Sequence, residues 1–550
     1  MRFFLFLRTI FGACFIEGAP VPKVLRVPDV FANQILMLIN IHSAKCIGVQ
    51  AVDVTVEVDI SSGIGIHLVG LADAAVKESL LRTVTALQSL GFRIPGKRIV
   101  INLAPADIHK NGSGYDVPIA LGILAASGQG KWDALEDYLV MGELGLDGTV
   151  RPVPGALPVA ELSVAEGRKG CILPLDSALD AADYYAGHVY GVRSLPEVIR
   201  IVSGLEDVAD LLIGSIEKDV TRSADGIGFR EFVDMAQIIG QEGAKRGVEV
   251  AAAGGHNVIM IGPPGSGKSS LAKAMAGILP PMLREESLET SKIYSVAGTG
   301  GHRGLLKERP FRAPHYSASI PALIGGGSDS ILPGEISLAH NGVLFIDEFC
   351  EAPKKVVEAL RGPMEDGTIT VSRLRNKVTY PASFMLVAAA NPCPCGYYGE
   401  GDRCRCTVGQ RLNYLARLSG PMMDRIDIQL WMHSVDAVKL TSGRVGESSA
   451  VVRERVVRAR EIQRRRFKED GIYTNAMMDN RLIDKYCSLD SGCREFLRRT
   501  IESMGLSARA CMRIIRIART IADLEGSPEI TILHLSEATG FRFMDKSRPA

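Results

Sequence analysis

One stretch, HNVIMIGPPGSGKSS from His256 to Ser270, constrains this chain more than any other. Four apolar residues, Val258–Ile261, run into Gly262-Pro263-Pro264-Gly265-Ser266-Gly267-Lys268-Ser269-Ser270, and an alanine-rich segment of helical character follows. Strand, glycine-rich loop and helix in that order make a phosphate cradle. The glycines leave backbone N–H groups free to wrap phosphate oxygens, and the helix N-terminus adds a favourable dipole. In this pattern Lys268 reaches the β and γ phosphates of a nucleotide and Ser269 ligates Mg²⁺. The bland alternative is a chance glycine-rich turn, and it recedes once the second half of such a site is found in the same chain.

That half is GVLFIDE, Gly342–Glu348. Four apolar residues in a row suit a strand covered on both faces, as in a parallel sheet. Two carboxylates emerge at its C-terminal end, where such sheets bind ligands. Asp347 is expected to hold Mg²⁺, directly or through water, and Glu348 to polarise the attacking water, which points to hydrolysis of ATP rather than its storage. A further apolar run, Phe384–Ala390, ends in Asn391, a polar residue able to orient that water.

The rest of the chain frames this site. With 550 residues it exceeds one ordinary core, and roughly two to four domains are expected. Residues 1–36 read as an extension outside the fold. Over 37–213 strand and helix patterns alternate: a strand over 47–60, a helix over Asp73–Gly91, a strand in RIVINLAP and a helix in YDVPIALGILAAS. Residues 214–230 are polar and glycine/serine-bearing, a linker; 231–436 form a second α/β unit around the phosphate loop; 437–550 are arginine-rich amphipathic helices. The fold class is α/β. A net charge of +1 excludes a global basic field, so any nucleic-acid surface must be local. Seven of the eleven cysteines are scattered, which favours a reducing compartment, and the need for ATP makes the expected location cytoplasmic. Apart from the N-terminal extension, no segment reaches the roughly 18 uncharged apolar residues of a membrane span.

The other four cysteines crowd together directly after Asn391, as Cys393-x-Cys395 and Cys404-x-Cys406 across a loop holding Gly396, Gly399 and Gly401. Two such pairs can close a tetrahedral thiolate site for a structural Zn²⁺. Two disulfides, or four reduced loop cysteines, are the alternatives. Two basic stretches are candidates for DNA. VVRERVVRAREIQRRRFK (451–468) carries eight basic and two acidic residues on one helix, a stripe that suits phosphates and equally suits a solvated, ion-paired helix. GTITVSRLRNKVTYPA (Gly367–Ala382) reads as two alternating strands around a basic turn, Arg373–Lys377, and is the favoured pore contact.

Several long blocks together resemble one family. RPFRAPHYSASIPALIGGGSDSILPGEISLAHNGVLFIDE (Arg309–Glu348), EALRGPMEDG (Glu358–Gly367), AANPCPCGYYG and LSARACMRIIRIARTIADLEG look like the Mg-chelatase-like AAA+ proteins of the YifB/ComM type, over about residues 37–541. Tyr316, where the family has a second histidine after His315, and Gly362, where it has a glutamine before Pro363, depart from the pattern. The resemblance implies an AAA+ P-loop core with a C-terminal helical lid, acting as a homo-hexamer. It makes Asn391 the sensor of the γ-phosphate. It makes Arg425, in SGPMMDRIDIQLW, a finger reaching the γ-phosphate of the adjacent subunit, against a local salt bridge with Asp424 or Asp427. It makes Arg509 the lid's arginine closing over ATP, with Arg513 one turn on as the fallback. It also implies a DNA branch-migration or helicase-type motor acting on single-stranded or branched DNA. The alternative is a chelatase-like ATPase that remodels a protein partner.

The N-terminal unit resembles the Lon protease domain, where the chemistry can be checked. Around the expected nucleophile stands Lys110-Asn111-Gly112-Ser113-Gly114-Tyr115, which puts Gly114 in the nucleophile's place and Ser113 one position early. The partnering lysine should follow GLDGTVRPVPGALP, yet no lysine occurs between Arg151 and Glu166. A serine without its base is a weak nucleophile, so this unit is expected to be a protease-shaped scaffold.

Overall fold

The computed structural model describes residues 38–70, 74–110, 112–204, 207–214, 233–299, 304–327, 331–372, 377–434 and 446–544. The expected extension 1–36, most of the linker 214–230 and residues 373–376 at the tip of the basic hairpin lie outside them.

The N-terminal unit is built on a seven-stranded mixed sheet in the order Gly65–Val69, Arg98–Ala104, Gln50–Ser61, Ile39–Ile47, Tyr138–Val140, Gly170–Pro174, Val189–Val192. The strand expected over 47–60 runs over Gln50–Ser61, and a strand not singled out in the sequence, Ile39–Ile47, precedes it in a hairpin. Ile39–Ile47 turns at Gly48 (φ +64°) and pairs antiparallel with Gln50–Ser61, Ile47 facing Gln50. A two-residue turn leaves the apolar/polar alternation in step on both sides, so the pattern alone does not reveal it. The helix Asp116–Ala126 is almost wholly buried over this sheet. At Gly122 an added Cβ would stand 2.4 Å from Val58 Cγ2, so glycine sets how closely helix and sheet approach.

The second unit carries a five-stranded, all-parallel sheet in the order Phe311–Arg312, Val343–Ile346, Met385–Ala390, Val258–Ile261, Ile428–Trp431. Val258–Ile261, Val343–Ile346 and Met385–Ala390 are buried at every position, as uninterrupted apolar runs require when helices cover both faces. One core cluster joins this sheet to the C-terminal helices, through Val258, Met260 and Leu430 on strands and Val456, Ile514, Ile517 and Leu535 on helices. Those helices include Ser449–Arg466, Ser491–Met504, Ala508–Glu525 and Ile532–Gly540. No helix among the described residues is long and apolar enough to cross a membrane.

The two units are bound directly. Gly155 N donates to Ser295 O at 2.9 Å, Leu157 N to Ser295 Oγ at 3.2 Å, Lys292 pairs with Glu161 at 2.6 Å, and Arg284 stacks over the Tyr184 ring. The turn at Gly48 also lies against Val378, at the base of the Thr368–Ser372/Lys377–Pro381 hairpin.

Candidate functional site

Parallel topology brings the expected site residues to one edge of the sheet. The strand Met385–Ala390, which leads into Asn391, lies between those ending at Ile261 and Ile346, so phosphate loop, polar sensor position and acidic pair emerge side by side. Gly265 (φ +77°) and Gly267 (φ +89°) curl the loop, and the helix Lys268–Ile278 starts from it. Buried Lys268 donates from Nζ to the carbonyls of Gly262 (2.7 Å) and Pro263 (2.9 Å) and to Asn391 Oδ1 (3.3 Å). Burial pulls its ammonium below the ordinary lysine range and Asp347 opposes the shift, so a polyanion here restores what desolvation removes. Ser269 Oγ donates to Asp347 Oδ2 at 2.7 Å, and Asp347 Oδ1 accepts from Glu348 N at 2.9 Å. A hydroxyl and a carboxylate facing one another are the hard-oxygen donors a small divalent cation takes, so these two residues fit Mg²⁺. Glu348 is exposed and held at φ +49°, a left-handed backbone that costs a non-glycine residue on the order of 1 kcal/mol and is found at functional sites.

Sequence reasoning missed Gln241. Also left-handed (φ +61°), it donates from Nε2 to Ser266 O (3.1 Å) and His433 O (2.6 Å), pinning the phosphate loop to the end of the Ile428–Trp431 strand. The available signal was a polar side chain just ahead of the helix Glu242–Gly254, in IIGQE.

The four clustered cysteines converge. The Sγ atoms of Cys393, Cys395, Cys404 and Cys406 all lie within 4.8 Å of one another, with Cys393–Cys395 at 3.4 Å, Cys393–Cys404 at 3.8 Å and Cys395–Cys404 at 3.7 Å. Sulfurs tetrahedrally bound at about 2.3 Å to one Zn²⁺ stand about 3.8 Å apart, so the set fits that ion. A backbone hydrogen bond from Tyr397 lowers the Cys395 thiol to about 6. The loop they form also touches the phosphate loop: a Cβ on Gly396 would sit 2.9 Å from Pro264 Cδ.

Arg425 lies at the opposite, N-terminal edge of the sheet. Its carbonyl accepts from Asn257 Nδ2, just ahead of the Val258–Ile261 strand, so its own chain's phosphate loop is about 13 Å away along four strand residues. The local salt bridge considered for it exists, but with Glu365 (2.5 Å) rather than Asp424 or Asp427. Asp427 pairs instead with Arg513, at 2.6 Å. Burial alone would raise the Asp427 carboxyl; Arg513 and His256 outweigh it and hold it well below the carboxylate range. Arg509, one turn before Arg513, is exposed and acts on Glu365. Arg509 and Arg513 thus sit with Arg425 at the N-terminal edge of the sheet, the edge away from Lys268.

The basic helix splits. Arg455 pairs with Glu249 and Glu447, Arg460 donates to Ala252 O and Arg466 pairs with Asp523, while Arg458, Arg464, Arg465 and Lys468 are exposed. In the N-terminal unit the Ser113 hydroxyl donates to Glu143 and buried Lys110 to the Pro105 carbonyl.

Three segments match family descriptions: residues 234–440 match magnesium chelatase, subunit ChlI; 56–177 match subunit ChlI of Mg-chelatase; and 446–542 match the subunit ChlI C-terminal region. The chain is 43% identical over 513 residues to the protein YifB of Salmonella typhimurium, covering 93% of this chain and 98% of that one. It is 44% identical over 508 residues to YifB of Escherichia coli (92% and 97%) and 42% identical over 511 residues to the competence protein ComM of Haemophilus influenzae (92% and 98%).

Proposed function

The chain belongs to the Mg-chelatase-like AAA+ family of YifB and ComM, and from that premise we propose that it is an ATP-hydrolysing ring motor, a hexamer that translocates on single-stranded or branched DNA in the cytoplasm. The observation that carries hydrolysis is the pairing of Lys268 with Asn391 and of Ser269 with Asp347 by hydrogen bonds at one edge of the sheet, with Glu348 beside them. Bound Mg²⁺ would draw charge from the phosphates. Ser269 and Asp347 would hold it; Lys268 exchanges its contacts with the loop carbonyls for the β and γ phosphates; Asn391 and Glu348 orient the attacking water, and Glu348 takes its proton as the bond from the γ-phosphorus to the bridging oxygen breaks and ADP leaves. Arg425 is the finger supplied by the neighbouring subunit. The cysteine set takes a structural Zn²⁺, and the N-terminal unit is a Lon-like scaffold without protease chemistry.

DNA as the track is supported by the relationship to a competence protein and by the hairpin whose described base includes the exposed Lys377. The chelatase descriptions along the chain support the second reading, remodelling of a protein partner. The test is the ATPase rate with forked or four-way DNA against a control protein. Stimulation by DNA that fades as salt rises is expected; a rate indifferent to every DNA form would sink the DNA reading.

A further inference from the structure

The N-terminal edge of the ATPase sheet holds a cluster of cations with spare donors. Arg425 gives Nη2 to Glu365 and Nη1 to Pro421 O, at 2.5 and 2.7 Å, while its Nε is the first of three buried polar atoms here with no partner among the described residues. Arg361 stands one helical turn before Glu365 on the helix Arg361–Asp366, so both side chains share a face, and its Nε is likewise buried and unpartnered. Ser419 Oγ, six residues before Arg425 and at the start of the short helix Gly420–Met423, is a third buried, unpartnered polar atom. One exposed carboxylate, Glu365, answers several cations, and buried donors without acceptors are costly unless something else accepts from them.

We propose that Arg361 joins Arg425 in one receptor for the γ-phosphate of the neighbouring subunit's ATP, with Glu365 holding the two guanidiniums in place until the phosphate arrives. This rests on the ring reading above and adds Arg361 to it. A phosphoryl group has enough oxygens to accept from two guanidiniums, and planar forks suit it. The Arg361→Lys side chain keeps the charge and loses the fork, so it is expected to recover only part of the rate.

The test mixes subunits. Lys268→Ala is broken at its own phosphate loop, and Arg361→Ala at the face it offers its neighbour. Each alone is expected to lose turnover at least about 10-fold, given that arginine fingers contribute on the order of 10³ or more. In equal mixtures, about a quarter of the seams in a closed ring pair an intact loop with an intact receptor, so activity should return toward a quarter of wild type. Lys268→Ala mixed with Glu348→Gln, both broken in the same site, should return none. Arg425→Ala mixed with Lys268→Ala tests the ring itself. If that mixture recovers and the Arg361→Ala mixture does not, Arg361 serves only its own chain and the proposal falls while the ring reading stands. If neither recovers, both fall. Recovery in both supports the two-arginine receptor, and an unchanged rate in Arg361→Ala alone overturns it. Should Arg361→Ala fail to fold, the same mixtures made with Arg361→Lys decide in the same way.

Discussion

Gly396→Ala tests whether the cysteine loop supports the phosphate loop. Gly396 has φ +85°, and an added Cβ would lie 2.9 Å from Pro264 Cδ. The substitution therefore carries two costs: about 1–2 kcal/mol for a left-handed alanine, and about 1–3 kcal/mol for forcing a methyl into occupied space. Gly401, in the same loop, separates them. Its φ is +61° and its Cβ would meet nothing within 4 Å, so Gly401→Ala carries only the first cost. Pro264 sits inside the phosphate loop, where a shift of a few tenths of an ångström misaims the N–H groups that wrap phosphate. If the steric cost is relieved there, nucleotide affinity falls by about 5- to 150-fold, the equivalent of about 1–3 kcal/mol. The assay is equilibrium titration with a fluorescent ATP analogue, with Mg²⁺ present. The expected result is weaker binding by Gly396→Ala and near-wild-type binding by Gly401→Ala. Equal affinities for the two variants would refute the reasoning, because the cysteine loop would then yield without moving the phosphate loop.

Glu348→Gln should bind nucleotide as wild type does and lose turnover by about 10²- to 10⁴-fold, measured by phosphate release beside the same titration. Metal analysis of the purified protein should find one Zn²⁺ per chain, lost in Cys404→Ser along with a lower melting midpoint; wild-type protein without the metal would remove that assignment. Asp427→Ala strands the half-buried Arg513 and the Asn257 N–H, which should cost about 3 kcal/mol, read by calorimetry as a drop in the midpoint of the ATPase unit. Because the folded Asp427 pKa is depressed, its contribution is present above the ordinary carboxylate value near 4 and fades as pH falls toward the folded value. The gap between wild type and Asp427→Asn should therefore narrow on acidification from about pH 5 to pH 3, and a gap that widened would contradict the assignment.

The sequence by itself determined the local chemistry. The phosphate loop between strand and helix, the acids at the end of an apolar run, the polar Asn391 and the paired cysteines are contiguous signals, legible because backbone geometry over a few residues is set by glycines, apolar runs and side-chain spacing. Only the tertiary structure decided which distant pieces meet. The order of parallel strands sets Asn391 beside Lys268 and sends Arg425, Arg509 and Arg513 to the far edge of the sheet. Nothing local to LSARACMRIIRIAR says which edge its helix packs against, because its apolar face fits any apolar surface and its arginines find their carboxylates only after packing. The partners of Arg425 and Gln241 were illegible for the same reason: an ion pair or hydrogen bond between residues far apart in sequence is specified by the whole core that brings them to about 3 Å, not by either residue's neighbours.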